Sequence, residues 1–584
     1  MLDLIIKGAT IHDGTGADGY SGDIGVAGGR IAMVGGRIAE ASGEVIDADG
    51  AVVTPAWIDI HTHYDGQAAW DEAMEPSAGH GVGTVVMGNC GVGFAPVRPG
   101  GENDLIDLME GVEDIPGTAL HEAIPWGAWE SYPQYLDYLA GRRYAIDVAS
   151  MITHGAVRAY VMGGLARANA APSMDEIAQM AQIVEDALRA GAVGFSTGRV
   201  TGHRAIDGQS VPGTFAQEAA LTAIAQAMGR AGSGVLQAIL AGSFNWAPEE
   251  PPITQEAELL CRLSAMSGRR ATFTLAQKMD DADEWRDVIA VAKAGNARGA
   301  QVFPQVGSRP TGFVFSLDTY HPFMARPSCL ALKHLPLARR AAEMRQPEVK
   351  ARILSESDVV PQFPGKMESL IPVLPLEMVH TFPLTAGSDY EPDRSESFGA
   401  RVERDPGQDG YGHLYDYLAA GAGDSFAISF FGNFARFNLD DIREMQLDDS
   451  TVIGLSDAGA HVSAILDAVS PTYQLCFWAR DRKRGEGLPL AHVVERQTRR
   501  NARLFGFADR GVLAVGLRAD INVIDFANLR LGEMEVRRDL PSGGARLMQG
   551  AHGYLATLVA GAVTRRMDRD TGARPGVLLR GSPG

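Results

Sequence analysis

Nine residues stand out in this chain: Pro55-Ala56-Trp57-Ile58-Asp59-Ile60-His61-Thr62-His63. The run from Val52 to Ile60 is mostly apolar, which is typical of a strand buried on both faces. Residues two apart on an extended chain point the same way, so His61 and His63 leave the predicted strand side by side. That spacing suits two imidazole ligands of one metal ion, and metal-dependent hydrolysis becomes the working hypothesis. Two unrelated surface histidines are the alternative.

Length and composition restrict the class of protein. With 584 residues, the chain can form one large domain and a smaller one. A formal net charge of −20 argues against a nucleic-acid or anionic-membrane partner. The chain begins without the basic region of a signal peptide, and no run approaches the ~20 apolar residues that span a bilayer. The four cysteines have no paired spacing, which is typical of a reducing compartment, and we expect a soluble cytoplasmic protein.

Strand and helix signals alternate after the first 52 residues. One helix is marked by a capping box at Ser173 to Glu176 and by apolar residues at helical spacing up to Gly191. Strands separated by helices favour a parallel sheet, and about eight such units predict a (β/α)8 barrel. A doubly wound open sheet is the alternative. The predicted strands are 52–60, 84–87, 146–152, 193–196, 235–240, 271–275, 300–303 and 451–456.

The two ends of the chain carry a different pattern. Residues 1–52 contain short strands, among them a hairpin about Gly28-Gly29, and residues 508–584 return to strand patterning. We therefore expect the two ends to fold together as a composite β-sandwich domain beside a barrel formed by residues 53–507. The segment 304–450 is too long for one loop, so it must hold extra helices, and we expect a lid over the strand ends.

Candidate metal ligands follow the predicted barrel strands, whose carboxyl ends carry the active site in this fold. Strand 1 ends at His61 and His63, strand 2 at Cys90, between two glycines, and strand 8 at Asp457. Two imidazoles, a thiolate and a carboxylate form a zinc-binding set, and a free carboxylate beside a metal can act as general base. The alternatives are a small buried cysteine and a helix-capping aspartate.

Weaker signals surround this set. His154 follows strand 3 and His461 follows strand 8, so both are candidate substrate contacts, although His154 can also be a core histidine. Arg199 and His203 have side chains that can bind a substrate carboxylate, with loop surface charges as the alternative. Ser196 lies in a G-x-S-x-G pattern like the nucleophile elbow of serine hydrolases, but no helix signal follows it directly.

Six stretches carry a resemblance to a known family. They are Leu4–Gly14, His61-Thr62-His63, Gly88-Asn89-Cys90-Gly91, Gly194–Gly198, Gly454-Leu455-Ser456-Asp457 and Gly516–Asp520. The chain resembles the amidohydrolase superfamily and, within it, the N-acyl-D-amino-acid deacylase (D-aminoacylase) family, over most of its length but weakly from about 200 to 450. The resemblance implies a barrel flanked by a composite β domain, zinc and amide hydrolysis. It also implies that Cys90 is a metal ligand and that Asp457 is the proton shuttle.

One departure from that family concerns strands 5 and 6. The family takes two further histidine ligands from the ends of these strands. This chain reads Gly234-Val235-Leu236-Gln237-Ala238-Ile239 and Thr272-Phe273-Thr274-Leu275-Ala276-Gln277-Lys278 there. The absence of both histidines indicates one zinc ion rather than two. Lys278 is similar in position to a family lysine that faces the substrate.

We therefore expect a metal-dependent amidohydrolase that cleaves a linear C–N amide bond in a small N-acyl amine or N-acyl amino acid. Asp457 takes a proton from water and delivers it to the leaving amine, and His154 stabilises the oxyanion. Two alternatives remain: a metal-independent serine hydrolase that uses Ser196, and a non-catalytic protein on the same fold. The substrate and its stereochemistry stay open, and a homo-oligomer is compatible with the sequence.

Overall fold

The structure is a computed structural model that describes residues 1–244, 247 and 249–581. Within the described residues, eight parallel strands form one sheet, in which their spatial order is the order in which they follow one another along the chain. Barrel strands 1 to 8 are Trp57–Asp59, Val82–Met87, Asp147–Thr153, Gly194–Gly198, Val235–Ile239, Ala271–Leu275, Val302–Val306 and Val452–Ile453. Strands 1 and 8 meet just beyond their ends, where Thr62 bridges to Ala458 and the His63 N–H donates to the Ala458 carbonyl at 2.8 Å. The predicted (β/α)8 barrel is confirmed.

Helices connect the barrel strands. The predicted capping box is present, because the Ser173 hydroxyl accepts the Glu176 N–H and the Glu176 carboxylate accepts the Ser173 N–H. That helix ends at Gly191, whose φ of +111° requires glycine. Apart from short 3-10 helices, the helices described outside residues 307–450 are Glu102–Glu113, Gly117–Ala123, Tyr132–Ala140, His154–Met162, Gly164–Arg167, Met174–Ala190, Glu218–Ala231, Ile253–Ser267, Glu284–Ala297, Ser470–Tyr473, Gln474–Asp481, Leu490–Glu495, Arg496–Arg500 and Asn501–Phe505.

Both chain ends build a second, branched sheet. Its strands are Leu2–Ile11, Tyr20–Ala27, Arg30–Val34, Ser42–Asp47, Val52–Pro55, Ile521–Ile524, Tyr554–Val559, Ala562–Arg566 and Arg569–Asp570. We call it the end sheet. A hairpin of Arg530–Arg537 with Arg546–His552 lies outside it, and Leu578–Leu579 pairs with barrel strand 3. The C-terminal segment therefore contributes to the barrel as well as to the end sheet.

The single strand predicted over residues 52–60 is wrong. The chain leaves the end sheet at Pro55 and enters the barrel at Trp57. At the transition, the Ala56 N–H donates to the Asp520 carbonyl at 2.9 Å and the Trp57 N–H donates to the Gly81 carbonyl at 3.0 Å. Both short strands are fully buried, so the sequence shows one uninterrupted apolar run although two sheets share it.

A buried ion cluster joins the two sheets. Arg510 lies 2.6 Å from Asp147 and 3.5 Å from Asp520, while Arg518 lies 2.9 Å from Asp147 and 3.1 Å from Asp520. We call these four residues the seam cluster. Asp147 begins barrel strand 3 and Asp520 precedes an end-sheet strand, so the cluster fixes the end sheet against the amino end of the barrel.

Residues 307–450, here called the insertion, separate barrel strands 7 and 8. They form an antiparallel sheet of Thr311–Phe315, Phe426–Gly432 and Thr381–Leu384, in that order. Their helices are Pro327–Leu332, Leu337–Met344, Pro347–Ser355, Met367–Leu370, Phe398–Arg404, Gly410–Leu418 and Asp440–Leu447. Phe315, Phe398 and Leu414 are fully buried in a hydrophobic cluster that the insertion forms with Ala464 and Ile465. Across the described residues, no helix has the length and apolarity needed to cross a bilayer.

Candidate functional site

The carboxyl end of the barrel brings the four predicted metal ligands together. Donor atoms of His61, His63 and Cys90 all lie within 4.8 Å of one another, and all three side chains are buried. The Asp457 Oδ1 atom lies 3.1 Å from the His61 Nε2 atom and 3.7 Å from the His63 Nε2 atom. Two imidazoles, a thiol and a carboxylate are donors that suit a divalent metal such as zinc. We call His61, His63, Cys90 and Asp457, together with Glu113, which lies beside His63, the metal-edge cluster.

Each strand-1 histidine is held at its Nδ1 atom. The His61 Nδ1 lies 2.8 Å from the Gln305 Oε1, an arrangement in which Nδ1 carries the hydrogen. The His63 Nδ1 lies 3.3 Å from the Glu113 Oε1, and Glu113 is only 1% exposed. Both Nε2 atoms are thus directed towards Asp457 and keep a lone pair for a metal.

A tight turn presents the Cys90 thiol. Cys90 has a φ of +56°, and a Cβ on Gly88, two residues earlier, would lie 2.2 Å from a strand-3 carbonyl oxygen. The Cys90 N–H donates to the Gln237 Oε1 at 3.0 Å, and the Gly91 N–H donates to the Ser196 hydroxyl at 3.1 Å. Burial raises the pKa of the Cys90 thiol to about 12, so ligation needs a metal to displace the proton.

The loop after strand 8 holds Asp457 in an uncommon backbone conformation. Leu455, Asp457 and His461 have φ values of +64°, +47° and +45°. Each such residue costs of order 1 kcal/mol or more, and such strain clusters at functional sites. The predicted strand 451–456 is therefore too long: it ends at Ile453, and the chain turns at Leu455 so that Asp457 faces His61.

The charges of the site are strongly coupled. Burial alone would raise the pKa of Asp457, but His61 and His63 lower it well below its usual range. Burial raises the pKa of Glu113 to about 7, against the attraction of His63. One carboxylate therefore stays ionised beside the two Nε2 atoms, and a second is buried behind His63.

A cavity of about 340 Å³ opens above the metal-edge cluster. Much of its lining comes from the insertion, and part of that lining is apolar. The Phe313 and Phe431 rings stack with centroids 4.6 Å apart, and Met367 and Leu370 lie on the same lining. The cavity therefore has a polar floor at the strand ends and an apolar wall that can hold a hydrophobic group.

Two predicted substrate contacts, His154 and Ser196, do not line this cavity. His154 is fully buried, with its Nδ1 atom 2.9 Å from the Thr197 hydroxyl. Ser196 accepts the Gly91 N–H described above, and a strand rather than a helix surrounds it. Ser196 supports the Cys90 turn and lacks the setting of a nucleophile elbow.

Arg199 and Lys278 are also outside the cavity lining. Arg199 pairs with Glu256, with its Nη2 atom 3.0 Å from the carboxylate, and Lys278 pairs with Glu284. Both cations are thus engaged by carboxylates on helices around the barrel. His203 and His461 do line the cavity, as does Asp457.

Three further residues of the site, Glu113, Gln305 and Arg309, are not among those predicted from the sequence. Glu113 ends a helix between strands 2 and 3, and Gln305 lies within strand 7. Arg309 follows strand 7, is 3% exposed and pairs with Asp467 on the cavity wall. A carboxylate at the C-terminus of a helix, which the helix dipole disfavours, is the one signal that could have marked Glu113.

Comparison with known proteins connects these features to a family. A sequence model described as an amidohydrolase family matches residues 44–565. D-aminoacylase of Alcaligenes xylosoxydans xylosoxydans is 36% identical over 197 residues, which is 34% of this chain and 38% of that protein. N-acyl-D-aspartate deacylase of the same organism is 36% identical over 198 residues, 34% of this chain and 37% of that protein. The matches thus span less than two fifths of the length of these curated relatives.

The fold is similar over nearly the whole chain to a solved structure. This is N-acyl-D-glutamate deacylase from Bordetella bronchiseptica, complexed with zinc and a phosphonate inhibitor that mimics the tetrahedral intermediate. The TM-score is 0.65 at 23% identity, with 99% of each chain covered. At this identity the similarity concerns the fold.

Proposed function

The chain belongs to the amidohydrolase family, and on that premise we propose that it is a metal-dependent hydrolase of N-acyl amino acids. The observation that carries the proposal is the convergence of His61, His63, Cys90 and Asp457 at the carboxyl end of the barrel. The names of the curated relatives, D-aminoacylase and N-acyl-D-aspartate deacylase, support an N-acyl amino acid as the substrate. They also make the D-configured substrate the first to test.

We propose a single zinc ion, held by the two histidines with Cys90 and Asp457. Strand 5 offers Gln237, whose side chain accepts the Cys90 N–H. Thr274 near the end of strand 6 and Ala276 just after it line the cavity. Neither position supplies a further imidazole, which supports one metal rather than two.

In this proposal the metal, Asp457 and the apolar cavity wall each have a separate role in amide hydrolysis. When bound, zinc supplies Lewis-acid polarisation of the amide carbonyl and lowers the pKa of water. Asp457, kept ionised by its neighbours, accepts the proton of the attacking water at the carboxylate oxygen that does not face the metal, Oδ2, and delivers it to the amine nitrogen as the C–N bond breaks. The apolar wall around Phe313 and Phe431 excludes water and holds the acyl group.

A polar corner of the cavity supports a carboxylate on the amine side of the substrate. Thr274, Ser308 and Arg309 line the cavity and are 5%, 1% and 3% exposed. The Thr274 Oγ1, Ser308 Oγ and Arg309 Nε and Nη1 atoms have no conventional hydrogen-bond partner, although Arg309 pairs with Asp467 through Nη2 and its guanidinium lies 4.1 Å from the centre of the Tyr390 ring. Buried donors without partners are costly unless a ligand satisfies them, and these match a carboxylate.

The test combines metal analysis with a substrate screen. Protein purified without chelator or histidine tag should contain about one zinc per chain, by elemental analysis, and should hydrolyse N-acyl-D-amino acids faster than the corresponding N-acyl-D-amino acid amides. His61→Ala should lose both metal and activity, whereas His121→Ala, on an outer helix, should keep both.

Three outcomes would contradict the proposal. Full activity without metal would favour the serine alternative. Two metal ions per chain would disprove the single site. Metal without hydrolysis of any amide would favour a non-catalytic protein. A cytoplasmic location stays a prediction, and the four free cysteines support it.

A further inference from the structure

The helix Glu102–Glu113 brings two acidic residues into the interior beside the metal-edge cluster. Glu113 is its last residue and Asp114 follows, and they are 1% and 7% exposed. The C-terminus of a helix disfavours negative charge, and a buried carboxylate is costly without a partner. Ordinary folding requirements therefore do not explain a glutamate at position 113.

The contacts of Glu113 point to the metal site. Its Oε1 atom lies 3.3 Å from the His63 Nδ1, and its Oε2 atom lies 3.5 Å from the His461 Nε2. The Glu113 Oε1 and the His63 Nδ1 make no conventional hydrogen bond, so this ion-pair contact is what each of the two buried atoms has. The backbone carbonyl of Glu113 also accepts the His461 N–H. One residue thus touches the strand-1 ligand and the loop that carries Asp457.

The neighbouring ligand His61 provides a comparison. Its Nδ1 lies 2.8 Å from the neutral amide oxygen of Gln305. His63 instead has a carboxylate behind it, which makes a histidine a more basic metal ligand than an amide partner does. The two ligands are therefore held in the same orientation but by partners of different charge.

We propose that Glu113 is a positioning residue of the metal site, an inference that rests on the proposed function. It holds the His63 Nδ1–H so that Nε2 presents its lone pair to the metal. Through His461 it also fixes the loop that places Asp457 opposite the two histidines. Because the role concerns metal binding, it can be tested without any substrate.

Asp114 offers a matched control. It lies at the same helix end and is buried, but its Oδ1 accepts the Tyr320 hydroxyl at 2.6 Å and its Oδ2 accepts the Ser463 N–H at 3.2 Å. It ties the helix to the insertion and to the strand-8 loop without touching a histidine ligand. Its replacement therefore reports on the general structural role of this helix end.

The experiment measures zinc affinity by competition with a chromophoric chelator. Glu113→Ala should weaken zinc binding by about 10–100-fold, the usual cost of losing such a partner. Glu113→Gln should lose less, because its amide oxygen still accepts the Nδ1–H. Asp114→Asn should bind zinc like the wild type. The cobalt-substituted protein adds a second readout, since a displaced His63 should change its visible absorption in Glu113→Ala.

Two results would overturn the inference. One is wild-type zinc affinity and an unchanged cobalt spectrum in both Glu113 variants, with circular dichroism confirming that they are folded. The other is an equal loss of affinity in Asp114→Asn, which would assign the effect to the helix end as a whole. If Glu113→Ala does not fold, the nearly isosteric Glu113→Gln decides, and wild-type affinity there overturns the proposal. Failure of amide hydrolysis would remove the proposed function but leave these affinities measurable.

Discussion

Two buried charge clusters lie at opposite ends of the barrel. The seam cluster joins two aspartates and two arginines, and each carboxylate contacts both guanidinium groups. The metal-edge cluster has two carboxylates, and its His63 Nδ1 and Glu113 Oε1 atoms lack a conventional hydrogen-bond partner. The seam cluster balances its two carboxylates with two guanidinium groups from the protein itself, although the Asp520 Oδ2 atom also lacks a hydrogen-bond partner. The metal-edge cluster instead faces a cavity.

The difference shows how buried charge can be interpreted. Burying an ion costs free energy, so a cluster whose charges balance within the protein can be explained by a structural role alone. A cluster with unsatisfied atoms beside a cavity is explained only when something from outside completes it. The Arg309–Asp467 pair is intermediate, because it is paired on one side and unsatisfied on the other.

Asp457→Asn should have the largest effect. We expect kcat to fall by about 10⁴-fold, equivalent to ~5.5 kcal/mol in the activation free energy, because proton transfer is lost at the reacting centre. Circular dichroism and thermal unfolding should show an intact fold. Steady-state kinetics on zinc-loaded protein provide the measurement, and retained turnover would rule out Asp457 as proton shuttle.

Asp147→Asn should act on stability instead. The change removes the carboxylate that lies 2.6 Å from Arg510 and 2.9 Å from Arg518, and breaking a buried ion pair costs ~3–5 kcal/mol in the free energy of unfolding. The melting temperature should fall, while kcat per folded, zinc-loaded molecule stays unchanged. A loss of kcat at an unchanged melting temperature would contradict the interpretation of the seam cluster as architecture.

Arg309→Met tests the intermediate case. Loss of a charge-assisted contact should lower kcat/KM for an N-acyl amino acid by about 10–100-fold, corresponding to ~1.5–3 kcal/mol. The corresponding N-acyl amino acid amide, which lacks the carboxylate, is the internal control and should lose little. An equal loss for both compounds would assign Arg309 to the structure of the cavity wall, with Asp467.

Ser196→Ala should have the smallest effect. The change removes one acceptor from the Gly91 N–H and should cost about 1 kcal/mol in stability. Activity should remain within about threefold of wild type, since a shift of that size is under 1 kcal/mol in the activation free energy. If activity disappeared while zinc stayed bound, Ser196 would be the nucleophile and the metal-edge cluster would need another explanation.

The sequence predicts those parts of the molecule that follow from local pattern. Alternating strands and helices indicated the barrel, and a spacing of two residues indicated that His61 and His63 act together. Cys90 and Asp457 could be predicted as site residues because each follows a barrel strand, and the active site of a (β/α)8 barrel lies at the carboxyl ends of its strands.

The remainder depends on contacts between distant segments. Glu113 reaches His63 across 50 positions of sequence, and only the packed helix brings them together. The split of residues 52–60 between two sheets leaves no trace in hydrophobicity, because both halves are buried. The packing of the insertion could likewise not be predicted, because its sequence does not distinguish apolar residues that face its own core from those that face the cavity.

The end sheet has a consequence for biosynthesis. Val53 pairs with Val523, so about 470 residues must be made before this strand finds its partner. At roughly 5–20 residues per second, that delay is about 25–95 s. Throughout it, the strands near the N-terminus present an unsatisfied edge to other nascent chains. The barrel can acquire local structure earlier, but the finished sheet is among the last parts to assemble on the ribosome or after release.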